Sequence, residues 1–320
     1  MADGFRPAAG LSSPHAQTIF ASYLRPRHTP PLVRQRLETP DGDFVDADRL
    51  LADPRAPHLL ILHGLEGSSK SGYVRAMLRG AAARGWGAVA LNFRSCSGEL
   101  NRRPRFYHSG ETGDARFVQE RLREEVQGPW AGVGFSLGGN VLLRLLEEEG
   151  ERAPFVAAAA VSVPFDLLAC ARALDARRGG WMAIYRGVFL RSLKAKAIAK
   201  AQRHPGILDV ERVRAAPGIE AYDDAVTAPL HGWATAADYY RACSSGAALD
   251  RIRIPTLLLT SDDDPIAPPS TLPPDVASNP ALTLVRTARG GHVGFVAGSI
   301  LRPRFWAEER VLDFLDHRFG

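Results

Sequence analysis

Cysteine is scarce in this chain of 320 residues: only Cys96, Cys170 and Cys243 occur. They are odd in number, lie far apart and form no C-x-x-C pair. That pattern excludes a disulfide framework and argues against a structural zinc site. Lysine is nearly as rare, confined to positions 70, 194, 196 and 200. The formal charge of +5 is therefore carried by arginine, spread from end to end on an alanine-rich background. A nucleic-acid surface would need basic residues clustered with interleaved aromatics, and none are. No apolar run approaches the length of a bilayer span, and "MADGFRPAAG" lacks the apolar core of a secretory signal. The expectation is a soluble, cytoplasmic protein with no nucleic-acid partner, whose 45% apolar residues suffice for a sizeable core. With no repeat or low-complexity linker, residues 1–320 read as a single domain.

What is present is a rhythm. "LVRQRLETPDGDFVDADRL" reads as two strands joined at Pro40-Asp41-Gly42, a hairpin by its turn chemistry. After it come short continuous apolar runs: "LLIL" (59–62), "AVAL" (88–91), "AGVGF" (131–135), "VAAAAVSV" (156–163), "TLLLT" (256–260) and "LTLV" (282–285). Helix-length amphipathic segments separate most of them. Continuous rather than alternating apolar strands imply an α/β fold, a mostly parallel sheet covered by helices on both faces. The long gap between Val163 and Thr256 exceeds what a crossover needs and reads as an inserted helical cap, about residues 165–250. Within it, "WMAIYRGVFLRSLKAKAIAK" is expected to form an amphipathic helix, aromatics on one side and Arg/Lys on the other. A basic helix of this type packs as a cap or rests peripherally on a membrane.

The strongest chemical signal is "GVGFSLGGN", a G-x-S-x-G elbow from Gly134 to Gly138 where a strand ends and a helix over 137–149 begins. The elbow holds Ser136 on a sharp turn, and its glycines let neighbouring backbone approach. A serine nucleophile needs a general base, and the base needs an orienting acid, in the chain order Ser, Asp or Glu, His. Of His204, His231, His292 and His317, the base is read as His292, in the Gly-rich "RGGHVGF" after the last apolar strand. The others read as solvated or structural. The acid belongs in "SDDDPIAP" after the penultimate strand; Asp264, four residues before Pro268, is the candidate, with Asp263 next. Donors for an oxyanion are expected from the backbone N–H groups of Leu137 and of Leu65, in "HGLEGSS" after the "LLIL" strand. No metal or organic cofactor is called for. "HPGILD" (204–209) fits an HxxxxD pattern, but it falls inside the cap and is discounted.

Longer stretches carry a resemblance. Through "SSPHAQTIF" (12–20), "LHGLEGSSKSGY" (62–73), "NFRSCSGELNRRPRFYHSGETGD" (92–114), "GFSLGGN", "SVPFDL", "YDDAVTAPLHGWATAADYY" (222–240), "DDPIAP" and "GGHVGF", nearly the whole chain resembles the YheT-like branch of the α/β-hydrolase fold family. The branch includes animal α/β-hydrolase-domain lipases and yeast medium-chain ester synthases. The resemblance implies hydrolysis of a carboxylic ester by a Ser-Asp-His triad, at Ser136, Asp264 and His292. It departs at Ser95, where the pattern often has glycine. An apolar cap suggests a small-molecule ester with a short to medium acyl chain. Two alternatives use the same features: an alcohol acyltransferase with this triad, and a non-catalytic lipid-binding protein of this fold. In "YHSGET", His108 and Glu111 are candidates for the pocket lining; the structural reading has Tyr107 in the core and Asp114 capping a helix. Asp223 and Asp224 are expected to tie down backbone.

Overall fold

The computed structural model describes residues 4–176 and 179–320. Helix α1 (Pro14–Leu24) precedes the hairpin of β1 (Val33–Glu38) and β2 (Phe44–Leu50). Strands and helices then alternate: β3 (His58–Leu62), α2 (Gly72–Ala83), β4 (Gly87–Asn92), α3 (Thr112–Arg123), β5 (Trp130–Phe135), α4 (Leu137–Glu149) and β6 (Ala157–Val161). Six helices follow: α5 (Leu167–Asp175), α6 (Gly180–Arg203), α7 (Val210–Ala215), α8 (Ile219–Ala225), α9 (Thr227–His231) and α10 (Ala236–Cys243). The chain returns to the sheet with β7 (Thr256–Ser261) and β8 (Leu282–Thr287). It ends with a small hairpin, β9 (Val296–Gly298) and β10 (Pro303–Phe305), and α11 (Trp306–Phe319).

The eight-stranded sheet has the order β1-β2-β4-β3-β5-β6-β7-β8. Strand β2 runs antiparallel to both its neighbours, β1 and β4; β3 through β8 are mutually parallel. The continuous apolar runs are explained by burial on both faces. In β3, Leu59 and Ile61 face α2 and α11, whereas Leu60 and Leu62 face α3 and α4. A side chain every second residue on each face forces such a strand to be apolar throughout. The hairpin turns where expected, with Gly42 at φ +77°, a left-handed conformation glycine adopts without strain.

The excursion from β4 to α3 is held by one buried cation. Arg94 donates to both oxygens of Asp114 at 2.7 and 2.8 Å, to Asp43 at 2.9 Å and to Asp41 at 2.8 Å. Its side chain is 2% exposed. Burial alone would raise the Asp43 carboxyl. Hydrogen bonds from Asn101 and the N–H groups of Arg102 and Phe44, with the charge of Arg94, hold it below the ordinary value. Asp114 therefore serves as an ion-pair partner in the first turn of α3, not as its cap; Glu111 occupies the cap position without making a capping bond. Ser95 departs from glycine at a cost visible in the backbone, sitting at φ +66°, and its hydroxyl bonds Asn101. Replacing Arg94 by methionine takes from the buried Asp43 and Asp114 their closest counter-charge, leaving Arg105 at 3.8 Å from Asp114. Urea denaturation should report a loss of about 3–5 kcal/mol, whereas Arg121→Met, on an exposed pair, should change stability by less than about 1 kcal/mol.

Helices α5 to α10 enclose an apolar cluster of their own, including Leu174, Tyr185, Val213, Tyr222 and Tyr239. The helix expected over 181–200 is present within α6, but its faces are not divided as expected. Trp181, Ile184 and Val188 are exposed, while Lys200 is fully buried, donating to the carbonyls of Asn101 and Arg103. Counting residues around a helix reveals stripes but not which stripe turns inward. Among the described residues, no helix is long and apolar enough to cross a membrane.

Candidate active site

Strand β5 ends at Phe135 and α4 begins at Leu137, leaving Ser136 alone at the turn with φ 52° and ψ −121°. A non-glycine residue there is strained by about 1–3 kcal/mol. The turn persists because its surroundings fix it: the Ser136 N–H donates to the Val161 carbonyl at 2.8 Å, continuing the ladder to β6. The flanking glycines are required by contact. A Cβ on Gly138 would lie 2.4 Å from the Leu62 carbonyl oxygen, and one on Gly134 would lie 2.4 Å from that of Gly138.

Each of the three consecutive aspartates has a different partner. Asp262 pairs with Arg286 on β8 near the surface. Asp263 accepts the Gly291 N–H at 2.8 Å, bracing the loop that carries His292. Asp264 is buried and accepts from His292 Nδ1 at 2.9 Å; its Oδ1 also takes the N–H groups of Ile266 and Ala267, each at 2.8 Å. The far nitrogen of the imidazole, Nε2, lies 2.8 Å from Ser136 Oγ. Hydroxyl, imidazole and carboxylate thus form a line along which a proton can leave the serine while the resulting positive charge faces a buried anion.

The histidine loop is anchored from the other end of the chain. Thr18 Oγ on α1 accepts the His292 N–H at 2.9 Å, and Ser162 Oγ accepts that of Val293 at 3.0 Å. Gln17, fully buried, bridges the Val296 backbone and the Leu11 carbonyl. Gln17 and Thr18 lie in "SSPHAQTIF", where sequence reasoning found a family-like stretch but no role. Only a contact across more than 270 positions reveals one.

The loop after β3 is equally constrained. His63 is buried and serves as a structural link, joining the Gly64 carbonyl through Nδ1 and accepting the Phe93 N–H through Nε2. Burial pushes its pKa down to about 4, so the ring is neutral. Tyr73 takes the Gly64 N–H at 2.9 Å. Glu66, at φ 55°, gives its N–H to the Tyr107 hydroxyl at 2.8 Å. Its carboxylate receives Tyr107 OH at 2.9 Å, Lys196 Nζ at 2.9 Å and the Ser192 hydroxyl. Lys196 and Ser192 belong to α6, so Glu66 joins this loop to the helices above it. Among the described residues, the N–H groups of Leu65 and Leu137 donate to nothing. They are available to an oxyanion forming at Ser136.

Ser136 and His292 open into a cavity of about 550 Å³. Its walls are mainly apolar, among them Ile19, Phe106, Leu167, Leu174, Phe189 and Ile266. In "YHSGET", Tyr107 packs in the core, stacked on Phe93, and also reaches the cavity, as does His108; Glu111 stands behind His108. Burial, then the charge of Asp114, lifts the Glu111 carboxyl to about 7, while burial and the neighbouring His231 keep His108 well below its ordinary value. His231, read from sequence as solvated or structural, lines the cavity against His108. Asp224 accepts the Ala236 N–H as expected, but Asp223 holds Thr227 and Tyr240 and faces the cavity. His204 and His317 bond backbone carbonyls away from it. No three His, Cys, Asp or Glu side chains among the described residues gather as a metal ion requires.

A nucleophile elbow after a central parallel strand, an acid after the penultimate one and a histidine after the last define a known arrangement. The family model described as "alpha/beta hydrolase fold" matches residues 57–299. The chain belongs to the α/β hydrolase fold family. Within that family it is 41% identical to "Putative esterase YheT" of Escherichia coli (strain K12), over 97% of this chain and 92% of that protein. It is 29% identical to "Phospholipase ABHD3" of Mus musculus, over 92% of this chain and 74% of that one. Among solved structures of the fold, an esterase of Pyrococcus furiosus aligns with a TM-score of 0.59 at 16% identity, covering 91% of each chain. The sheet order and the parallel strands β3 to β8 are those of that fold.

Proposed function

We propose that the chain is a serine carboxylesterase acting on short- to medium-chain acyl esters through Ser136, His292 and Asp264. The observation carrying this reading is the 2.8 Å approach of His292 Nε2 to Ser136 Oγ at the mouth of an apolar cavity. The names of the relatives, esterase and phospholipase, favour ester chemistry. Ser136 Oγ attacks the carbonyl carbon as its proton passes to His292 Nε2, and the carbonyl oxygen takes the electron pair. The N–H groups of Leu65 and Leu137 hold that oxyanion, and Asp264 holds the imidazolium. Collapse expels the alcohol, which takes the proton from His292 and leaves an acyl-serine. Water, deprotonated by the same imidazole, then releases the acid and restores the hydroxyl. Residues of about 165–250 form the cap that sizes the acyl group.

The test is hydrolysis of p-nitrophenyl esters from two to sixteen carbons, with Ser136→Ala as the blank. The expected result is a kcat/KM that peaks at a short or medium chain, since a pocket of a few hundred Å³ encloses a small ligand. A flat profile, or turnover equal in the blank, defeats the reading. Added ethanol that diverts the acyl group to ethyl ester would turn it towards an alcohol acyltransferase. Acyl-ester binding without turnover by either protein would leave a lipid-binding hydrolase fold.

A further inference from the structure

The outward face of α6 is apolar where water meets it. Trp181, Ile184 and Val188, at i, i+3 and i+7, form one stripe and are 48, 53 and 64% exposed. On α1, Phe20 and Tyr23 are 41 and 73% exposed. Half of the strongly exposed large apolar side chains among the described residues lie on these two helices. The two patches flank one opening. His15 of α1 stacks on Trp181 and bonds the Tyr185 hydroxyl at 3.1 Å, joining the helices, while Tyr23, Trp181, Ile184 and Val188 all line the mouth of the cavity that holds Ser136. A monomer dissolved in water has no use for such a rim, whereas apolar surface gathered beside a pocket marks a contact site.

Charge indicates what sits on it. No aspartate or glutamate occurs from residue 4 to 37 or from 176 to 208, the two segments that carry the patch. Arg27 follows α1 and Arg191 stands one turn beyond Val188, both exposed. Aromatic and aliphatic side chains bordered by arginine, on segments that carry no acid of their own, match a layer of apolar chains beneath anionic headgroups. We infer that this rim docks on an anionic phospholipid surface, presenting the cavity mouth to esters held in that surface. The rim is continuous with the apolar cavity, so an acyl chain drawn from the membrane crosses no water.

The inference rests on the esterase reading only for what the membrane delivers, and its test is independent of turnover. Ser136→Ala protein is mixed with vesicles of phosphatidylcholine alone or with phosphatidylglycerol, and the bound fraction is measured by sedimentation. Binding is expected to the mixed vesicles, weakening as salt rises. Adding Phe20→Ser, Ile184→Ser and Val188→Ser should lower the partition coefficient by about tenfold or more. A second variant, Arg27→Glu with Arg191→Glu, should abolish the preference for phosphatidylglycerol while keeping the wild-type circular dichroism. No binding to either vesicle overturns the inference, as does binding that neither variant changes. A dimer in sedimentation velocity that the serine variant dissolves would overturn it in favour of a second copy of the chain. Normal binding with no esterase activity in the Ser136 protein would instead count against the catalytic reading alone.

Discussion

If the proposed triad acts, replacing Ser136 by alanine should lower kcat/KM on ester substrates on the order of 10⁶-fold, and Asp264→Asn should lower it on the order of 10⁴-fold, the sizes found in serine hydrolases. Combining the two should cost no more than Ser136→Ala alone, because the groups act as one unit. The neighbouring aspartates make the comparison sharp. Asp262→Asn breaks only a surface pair with Arg286 and should leave kcat/KM within about twofold. Asp263→Asn removes the charge that accepts the Gly291 N–H and should fall between them, since it disturbs the histidine's backbone and not its proton. Steady-state kinetics on the three variants checks this order. Equal losses at all three would mean that the loop's fold, and not one carboxylate, is what matters.

Replacing Glu66 by alanine should lower kcat by about 100-fold with little change in KM. The side chain is buried and touches no reacting atom; it acts by holding the Leu65 N–H in place and tying that loop to Lys196 and Ser192. Misplacing one donor of an oxyanion hole costs on the order of 10²–10³ in rate. Two further variants separate backbone from side chain. Glu66→Gln keeps the size and one acceptor oxygen, and should recover part of the loss. Glu66→Gly relieves the strain at φ 55° but removes the carboxylate, and should remain slow. Affinity for a boronate that mimics the tetrahedral intermediate should fall in step with kcat, which a loss of folding stability alone would not produce. A glycine variant with full activity would show that Glu66 matters only for its backbone.

The sheet was legible because burial on both faces leaves a run such as "LLIL" or "TLLLT" no polar positions, a signal contained within five residues. The nucleophile elbow was legible for a related reason, since Ser136 needs glycine on both sides within five positions, and the family from long stretches such as "NFRSCSGELNRRPRFYHSGETGD". The distinction among Asp262, Asp263 and Asp264 was only partly legible. Their partners, Arg286, the Gly291 N–H and His292, lie more than twenty residues away, and only the spacing to Pro268 separated them. Gln17 and Thr18 were invisible as site residues because each acts on a segment more than 270 positions distant, and Glu66 because its partners Ser192 and Lys196 lie more than a hundred positions on. The division of α6 into two sides failed for another reason. Aromatics and Arg/Lys were expected on opposite sides, yet Lys200 finds two carbonyls inside, while Trp181 lies on the rim.

The clamp between the two ends of the chain has a consequence for biosynthesis. Arg25, just past α1, pairs with Glu308 of α11 at 2.7 Å, both side chains nearly inaccessible, and the same guanidinium holds the Val293 carbonyl beside His292. An N-terminal helix that steadies the loop of His292 therefore waits for α11 before it is itself secured. While the chain is still emerging from the ribosome, the sheet can form from β3 onward, yet the hydroxyl at position 136 has no base to serve. Contacts spanning nearly the whole sequence close late. A chain that stops short of α11 is therefore expected to hold the His292 loop less firmly and to leave Ser136 without a well-placed imidazole.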